Sequence, residues 1–284
     1  MSIVYKEEYL STLQERLSDE SLVEKVCNME YTNTRVLHNP YMTASTASAY
    51  TRGSAYTPAA VATTDDYITI SSALIDPQYI DRADMAQKSF NDWMLIAEDQ
   101  ATSLQEGLET AMLASHASWT DFTNASIGGS AGTITVSESN VEDIITGIKR
   151  EIREAKAGKL ANRNGIFIIW RPADFELLEK YAASQGFSVA DRILINGADK
   201  GVKLFGVENY YSNLIATGHL FAGVKNVFHC GIVKDTYGQI VETEDPYLAA
   251  VSGQMSALGI VSRLDYAFKA WYNTTGVLFD ITVA

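Results

Sequence analysis

A weakly charged segment of 25 residues, Pro40 to Thr64, restricts the possible folds of this chain more than any other feature. Of these residues 16 are Ala, Ser or Thr, and Arg52 is the only charged one. The segment is too polar to form a core of its own and too poor in glycine for a flexible linker. Compact domains rarely carry structureless loops beyond about 12–15 residues. We therefore expect the segment to pack on another molecule, most simply a second copy of the same chain.

Composition and charge disfavour several classes of protein. The chain has 284 residues, of which 46% are hydrophobic, as is ordinary for a globular protein with a sizeable core. Its 22 basic and 35 acidic residues give a net charge of −13, which disfavours tight binding to nucleic acid or to an anionic membrane. The N-terminal residues lack the pattern of a signal peptide, and no apolar run approaches the roughly 18 residues of a membrane span. We expect a cytosolic protein without membrane contact.

The chemistry-bearing residues match no familiar catalytic or metal-binding motif. Phosphate-binding glycine loops, the nucleophile elbow of hydrolases, the zinc-protease helix and the EF-hand loop are missing from the sequence. The histidines follow no ligand spacing, and they are His38, His116, His219 and His229. Cys27 and Cys230 lie far apart and form no C-x-x-C pair. We expect buried thiols, no cofactor and no metal site.

Two weaker signals are interpreted structurally. His229 next to Cys230 suggests a thiolate–imidazole pair, but neighbours on a strand point to opposite faces, so the two side chains should not interact directly. Four acidic residues could hold a hard cation if the fold brought them together, namely Asp235, Glu242, Glu244 and Asp245. Their spacing lacks the pattern of a calcium loop, so we interpret them as carboxylates of surface loops. We predict no catalytic residue.

Hydrophobic periodicity predicts helices and one strand in the first half of the chain. Residues 5–17 have the spacing of a short amphipathic helix, and residues 19–29 repeat it more weakly. Asp66 to Ile75 alternates like a strand, which Pro77 should end or leave at the edge of a sheet. Ser89 to His116 has the apolar stripe of a helix roughly 40 Å long. The glycine-rich run from Gly128 to Gly132 then marks the clearest internal boundary.

The second half is predicted to be richer in strands. Thr133–Val136 should form a short strand, and Ser137 with Asn140 should cap a helix with an apolar stripe from Val141 to Ile152. The uninterrupted apolar run Ile166–Trp170 is typical of a central strand that is buried on both faces. Pro172 suits the first turn of the following helix. Six later segments look extended: Val202–Phe205, His219–Val224, Val227–Val233, Gln239–Glu242, Ser256–Trp271 and Val277–Val283. The fold class is therefore α+β.

This order of parts resembles the major capsid proteins of tailed bacteriophages with the HK97 fold. The resemblance covers nearly the whole chain and rests on the order of elements, without a diagnostic motif. It implies an N-terminal arm at 1–38 and an extended loop at 39–66. It further implies a peripheral domain with its spine helix at 67–127, an axial domain at 128–253, and C-terminal strands at 254–284 that return to the peripheral and axial sheets.

The resemblance also implies a function and a set of partners. The chain would self-assemble through hexamers and pentamers into an icosahedral shell that encloses phage double-stranded DNA, in the cytoplasm of a bacterial host. Its partners would be other copies of itself, a separate scaffolding protein unless the chain is already processed, a portal, possible decoration proteins, and DNA held by weak non-specific contacts. Some members crosslink through a lysine in the extended loop, but no lysine lies between Lys25 and Lys88. We expect a noncovalent, non-enzymatic shell.

Tyrosine and arginine are favoured anchors of protein interfaces, which singles out residues in and beside the 25-residue segment. We predict contacts between subunits through Tyr41, Met42, Tyr50, Arg52, Tyr56 and Pro58. The alternative is that these residues line an internal loop. Two other functions stay open: an encapsulin-like nanocompartment shell that packages an enzyme, and a cytosolic α+β enzyme, which would need a convergent polar pocket.

Overall fold

A computed structural model describes residues 21–42, 49, 51–53, 55, 62–81, 91–184, 202–233, 239–242, 257–271 and 275–284. Its helices are α1 (Leu22–Val26), α2 (Asn91–Ala114), α3 (Val141–Glu154), α4 (Gly158–Asn164) and α5 (Pro172–Ser184). Its first strands are β1 (Asn28–Thr32), β2 (Val36–Met42), β3 (Thr63–Thr69), β4 (Ser72–Asp81), β5 (Thr120–Phe122) and β6 (Ile166–Trp170). The later strands are β7 (Val202–Leu204), β8 (Val207–Tyr211), β9 (His219–Val224), β10 (Phe228–Val233), β11 (Gln239–Glu242), β12 (Ala257–Ala270) and β13 (Leu278–Thr282). The α+β prediction is confirmed.

A five-stranded sheet is organised around the long strand β12. One side of β12 pairs with β10 and β11, its other side pairs with β4 over ten residues, and β1 lies parallel to β10 at the end. The predicted strand Asp66–Ile75 is wrong in its bounds, because the alternation continues across a break at Ile70 and Ser71 between β3 and β4. Pro77 does not end β4. Among the described strands only β12 pairs with β4, so Pro77 lies at an edge of the described part of the sheet.

The long helix α2 lies across this sheet. Most of its predicted stripe is buried: Ala97, Leu104, Leu108 and Met112 are at most 3% exposed, whereas Ile96 and Ala111 are only partly buried. Gln100 is fully buried in the same face, where its Nε2 donates to the Asp76 carbonyl at 3.1 Å and its Oε1 accepts from Ser262 Oγ at 2.7 Å. These bonds join the helix to β4 and β12. They satisfy a polar group that would otherwise destabilise the interface.

A mixed six-stranded sheet has the order β5-β13-β9-β6-β8-β7. All five residues of β6 are buried, which confirms the prediction of a central strand, and β6 pairs with β8 and β9. The five residues of the predicted α3 stripe are buried, and α3 contacts β9 of this sheet. Helix α5 begins at Pro172, also as predicted.

Other local predictions need correction. Thr133–Val136 is not a strand: only Ile134 forms a bridge, to Val283. Asn140 does precede α3, but its side chain accepts from the Ser137 amide at 2.8 Å and donates to the Thr135 carbonyl, so it stabilises the preceding turn and not the helix terminus. The predicted helix at 19–29 is only the short α1, followed by β1. The predicted arm at 5–17 lies outside the described residues.

The two sheets share one connected hydrophobic core. Its members come from α1, α2, α3 and both sheets, and Phe228 of the five-stranded sheet contacts Trp119, whose ring also contacts Phe221 of the six-stranded sheet. Among the described helices, none is both long enough and apolar enough to cross a membrane.

Candidate functional site

The ends of the 25-residue segment are held together in a two-stranded antiparallel ribbon. Strands β2 and β3 pair along their whole length, from Val36 opposite Thr69 to Met42 opposite Thr63. The intervening residues 43–62 therefore leave and return at one end of the ribbon. Most of these connecting residues, including the predicted interface residues Tyr50, Tyr56 and Pro58, lie outside the described part of the chain.

The base of the ribbon packs on the five-stranded sheet. Ile68 and Ile70 are only 3% and 2% exposed, and the Ile70 amide donates to the Arg35 carbonyl at 2.8 Å. Gly231 of β10 lies beneath, and a Cβ atom there would come within 2.8 Å of Leu37 Cδ1 and 3.3 Å of Ile70 Cδ1. Because a larger residue at position 231 would displace these side chains, glycine permits the close packing.

Lys269 of β12 is the main polar anchor of the ribbon. Its Nζ forms a short ion pair with the Asp66 carboxylate and donates to the Tyr67 carbonyl at 2.8 Å. The same ammonium lies 5.7 Å from the centre of the Tyr67 ring and 5.9 Å from that of Trp271. Arg35, in the turn before β2, pairs with the buried Asp265 at 3.3 Å. These contacts set the direction in which the ribbon leaves the sheet.

On its outer surface the ribbon exposes apolar side chains. Met42 is 60% exposed and Tyr67 is 54% exposed, while Tyr41 is half-buried and Arg52 is exposed. The sequence prediction missed Tyr67, although a signal for it exists: alternation with the inward Ile68 and Ile70 places Tyr67 on the outer face. An exposed Tyr and Met on a two-stranded ribbon suit contact with another protein surface.

The residues considered for catalysis are arranged as inert structural groups. Burial raises the pKa of the Cys230 thiol far above its usual value, and burial together with Cys230 does the same for the Cys27 thiol. His229 turns away from Cys230, as predicted, and its Nδ1 lies 2.7 Å from Glu30 Oε1. Burial lowers the pKa of His229 against the opposing pull of Glu30. A nucleophile needs an accessible thiolate, which neither cysteine provides.

The acidic residues considered as a cation site lie mostly outside the described part of the chain. Asp235, Glu244 and Asp245 lie outside the described residues, and Glu242 is described only as part of β11.

Replacing Lys269 with methionine should loosen the ribbon without unfolding the sheets. The variant loses an ion pair and a hydrogen bond, partly screened because the lysine is 38% exposed. We expect amide exchange in β2 and β3 to become about ten times faster, corresponding to about 1.4 kcal/mol. Hydrogen–deuterium exchange on unassembled subunits measures this effect.

Lys180→Met is the matched control, because Lys180 pairs with Glu176 on the exposed surface of α5. Unchanged exchange in β2 and β3 of the Lys269→Met protein would contradict the anchoring role.

The paired sheets, the long helix across one of them and the projecting ribbon together define an HK97-like capsid fold. The capsid of a native GTA particle superposes with a TM-score of 0.63 at 10% identity, covering 92% of this chain and 89% of that one. The mature capsid of bacteriophage PhiM1 gives 0.59 at 12% identity, covering 90% and 86%. A virus-like particle from Pyrococcus furiosus gives 0.59 at 13% identity, covering 96% and 98%.

No protein-family model and no curated protein sequence matches the chain. At identities this low, the likeness to the capsid structures establishes the fold.

Proposed function

We propose that this chain is the major capsid protein of a tailed bacteriophage, which self-assembles through hexamers and pentamers into an icosahedral shell around double-stranded DNA. The observation that carries the proposal is the likeness to capsid structures over about nine-tenths of the chain. The absence of an accessible catalytic thiol among the described residues agrees with a structural role.

The ribbon supplies the contact between subunits in this proposal. Residues 39–66 act as the extended loop, and Tyr41, Met42, Tyr50, Arg52, Tyr56 and Pro58 contact a neighbouring subunit. Of these, Met42 and Arg52 are exposed, as an intersubunit contact requires before assembly. Tyr67 joins the set because of its exposed ring. The anchored base gives the described ribbon a fixed direction, which lowers the entropy lost on docking.

The remaining parts take the roles that the fold implies. Residues 1–38 form the arm, 67–127 the peripheral domain, 128–253 the axial domain and 254–284 the returning strands. The proposed axial domain and the proposed returning strands each contribute strands to both sheets. Sheet hydrogen bonds therefore join the proposed domains. Because closed symmetry repeats each interface many times, modest contacts give a stable shell without covalent crosslinks.

The proposal also assigns partners and a location. A separate scaffolding protein, a portal and decoration proteins assist assembly in the host bacterial cytoplasm, and the product is the virion capsid. The net charge of −13 implies that DNA is confined mechanically, with only weak contact to the inner wall.

Sedimentation velocity and negative-stain electron microscopy test the proposal on the protein expressed alone and with a candidate scaffold. Closed shells, or uniform hexamers and pentamers, are expected. A monodisperse monomer, dimer or tetramer under every condition would contradict it.

A second candidate is an encapsulin-like shell that holds protein cargo. The observation that keeps it open is the match to the Pyrococcus furiosus virus-like particle, a particle that is not described as a phage capsid, over 96% of this chain and 98% of that one. The contents of particles isolated from the native source distinguish the two: DNA supports the phage capsid, and a single enriched protein supports the nanocompartment.

A further inference from the structure

Three residues that are far apart in sequence meet where the long helix reaches the six-stranded sheet. His116 lies in the short 3-10 turn that directly follows α2, His219 begins β9, and Asp280 is in the middle of β13. Strands β9 and β13 are antiparallel neighbours, with His219 opposite Thr282 and Asp280 opposite Phe221. One potential ligand atom from each of the three residues lies within 4.8 Å of the other two.

The carboxylate of Asp280 bridges the two imidazoles, with one oxygen contacting the Nδ1 atom of each. Its Oδ2 is 2.9 Å from His116 Nδ1, and its Oδ1 is 2.8 Å from His219 Nδ1. The ring centres of the two histidines are 4.5 Å apart. The Asp280 side chain is 9% exposed, whereas those of His116 and His219 are 20% and 28% exposed. The cluster is therefore closed on the carboxylate side and partly open to solvent on the imidazole side.

We infer that His116, His219 and Asp280 form a binding site for a divalent transition metal, with zinc as the best match. Two imidazole nitrogens and one carboxylate oxygen are a donor set that zinc accepts, with bonds of about 2.0–2.2 Å. Magnesium and calcium prefer all-oxygen ligands, so the two imidazoles select against them. Water occupies the fourth position, on the solvent side.

Metal entry requires a rearrangement of side chains that already lie close together. In a tetrahedral zinc site, bonds of these lengths place neighbouring ligand atoms about 3.3 Å apart. His116 and His219 meet different oxygens of Asp280, at 2.9 and 2.8 Å, so one oxygen must take a position about 3.3 Å from both Nδ1 atoms. The three ligand atoms already lie within 4.8 Å of one another. In the metal-free site each Nδ1–H donates to Asp280, so metal binding requires each Nδ1 to give up its proton to solvent while Nε2 carries one. The Nδ1 lone pair is then free to bind the metal.

The metal has a structural role in this position. It connects the end of α2 to two strands of the six-stranded sheet through residues at 116, 219 and 280, which lie on separate elements. Phe221 packs against the His116 ring at 5.3 Å and limits its movement. Without metal, the same carboxylate accepts a hydrogen bond from each Nδ1–H, which holds the groups in place but crosslinks them less strongly.

Zinc titration of the tag-free, EDTA-treated full chain against a chromogenic chelator tests the inference. We expect one equivalent per chain and a higher melting temperature with zinc. His116→Ala and His219→Ala should each weaken binding at least about tenfold, because even outer-shell partners of metal sites contribute that much. His38→Ala is the matched control, because His38 pairs with Asp65 at 2.6 Å but belongs to no three-residue ligand group among the described residues.

Folded wild-type protein that retains no zinc would overturn the inference, as would unchanged affinity in both histidine variants. If those variants fail to fold, the visible spectrum of the cobalt-substituted wild type decides. Intense tetrahedral absorption supports the site, whereas the weak bands of octahedral cobalt would mean binding by surface carboxylates and would refute it. Neither result depends on whether the chain forms shells, so the inference and the proposed function can fail separately.

Discussion

Replacing residues 43–62 with the dipeptide Asn-Gly is expected to abolish particle formation while leaving the subunit folded. Met42 and Thr63 are directly opposite each other in the ribbon, so a two-residue turn can join them. Asn-Gly is the preferred sequence for such a hairpin turn. The packed base at Ile68 and Ile70 and the Lys269 anchor stay intact. Assembly is lost because the contact with the neighbouring subunit is removed, which sedimentation velocity measures directly.

A chain in which residues 43–62 are scrambled at constant composition is the matched control for loop length. We expect the scrambled chain also to fail to assemble, because the intersubunit contact depends on the order of residues. In both variants the circular dichroism spectrum and the melting temperature should stay close to those of the wild type. Normal shells from the Asn-Gly variant would contradict the role proposed for the loop.

Trp170→Ala is expected to lower the free energy of unfolding by about 3–5 kcal/mol. Trp170 is fully buried at the end of β6, the central strand of the six-stranded sheet. Its Nε1 donates to Asn209 Oδ1 at 2.9 Å, which fixes β6 against β8. The alanine variant loses a large apolar contact and this hydrogen bond together. Urea unfolding of unassembled subunits measures the change.

Trp170→Phe separates the two contributions, because it keeps an aromatic ring and removes the donor. We expect a loss smaller than that of the alanine variant, including about 1 kcal/mol for the hydrogen bond. If the alanine variant changed the free energy of unfolding by less than about 1 kcal/mol, Trp170 would not contribute to the stability of the core as proposed.

Long, strongly periodic elements could be predicted from the sequence because their own residues determine them. Strand β6 is apolar throughout, and α3 repeats its stripe over about three turns, so burial follows directly from the pattern. Strands β2 and β8 were not predicted, since β2 contains His38, Asn39 and Pro40, and β8 contains Glu208 and Asn209. Both strands form because a partner strand supplies the hydrogen bonds, which overrides weak local preference.

The candidate site, too, was predictable only in part from the sequence. The unusual composition of Pro40–Thr64 marked the segment as needing a partner, and alternation around Ile68 could have identified Tyr67. The Lys269 anchor was not predictable, because β12 follows β3 by about two hundred residues and only the folded register brings them together. His116, His219 and Asp280 are likewise joined only by tertiary structure, which is why spacing in the sequence gave no sign of a metal site.

A cryo-electron microscopy reconstruction of the assembled protein tests the central proposal most directly. We predict a closed shell in which each subunit has the two sheets and long helix described above, and in which residues 39–66 of one subunit lie on its neighbour. A small closed oligomer, or a shell in which this loop contacts only its own subunit, would contradict the account.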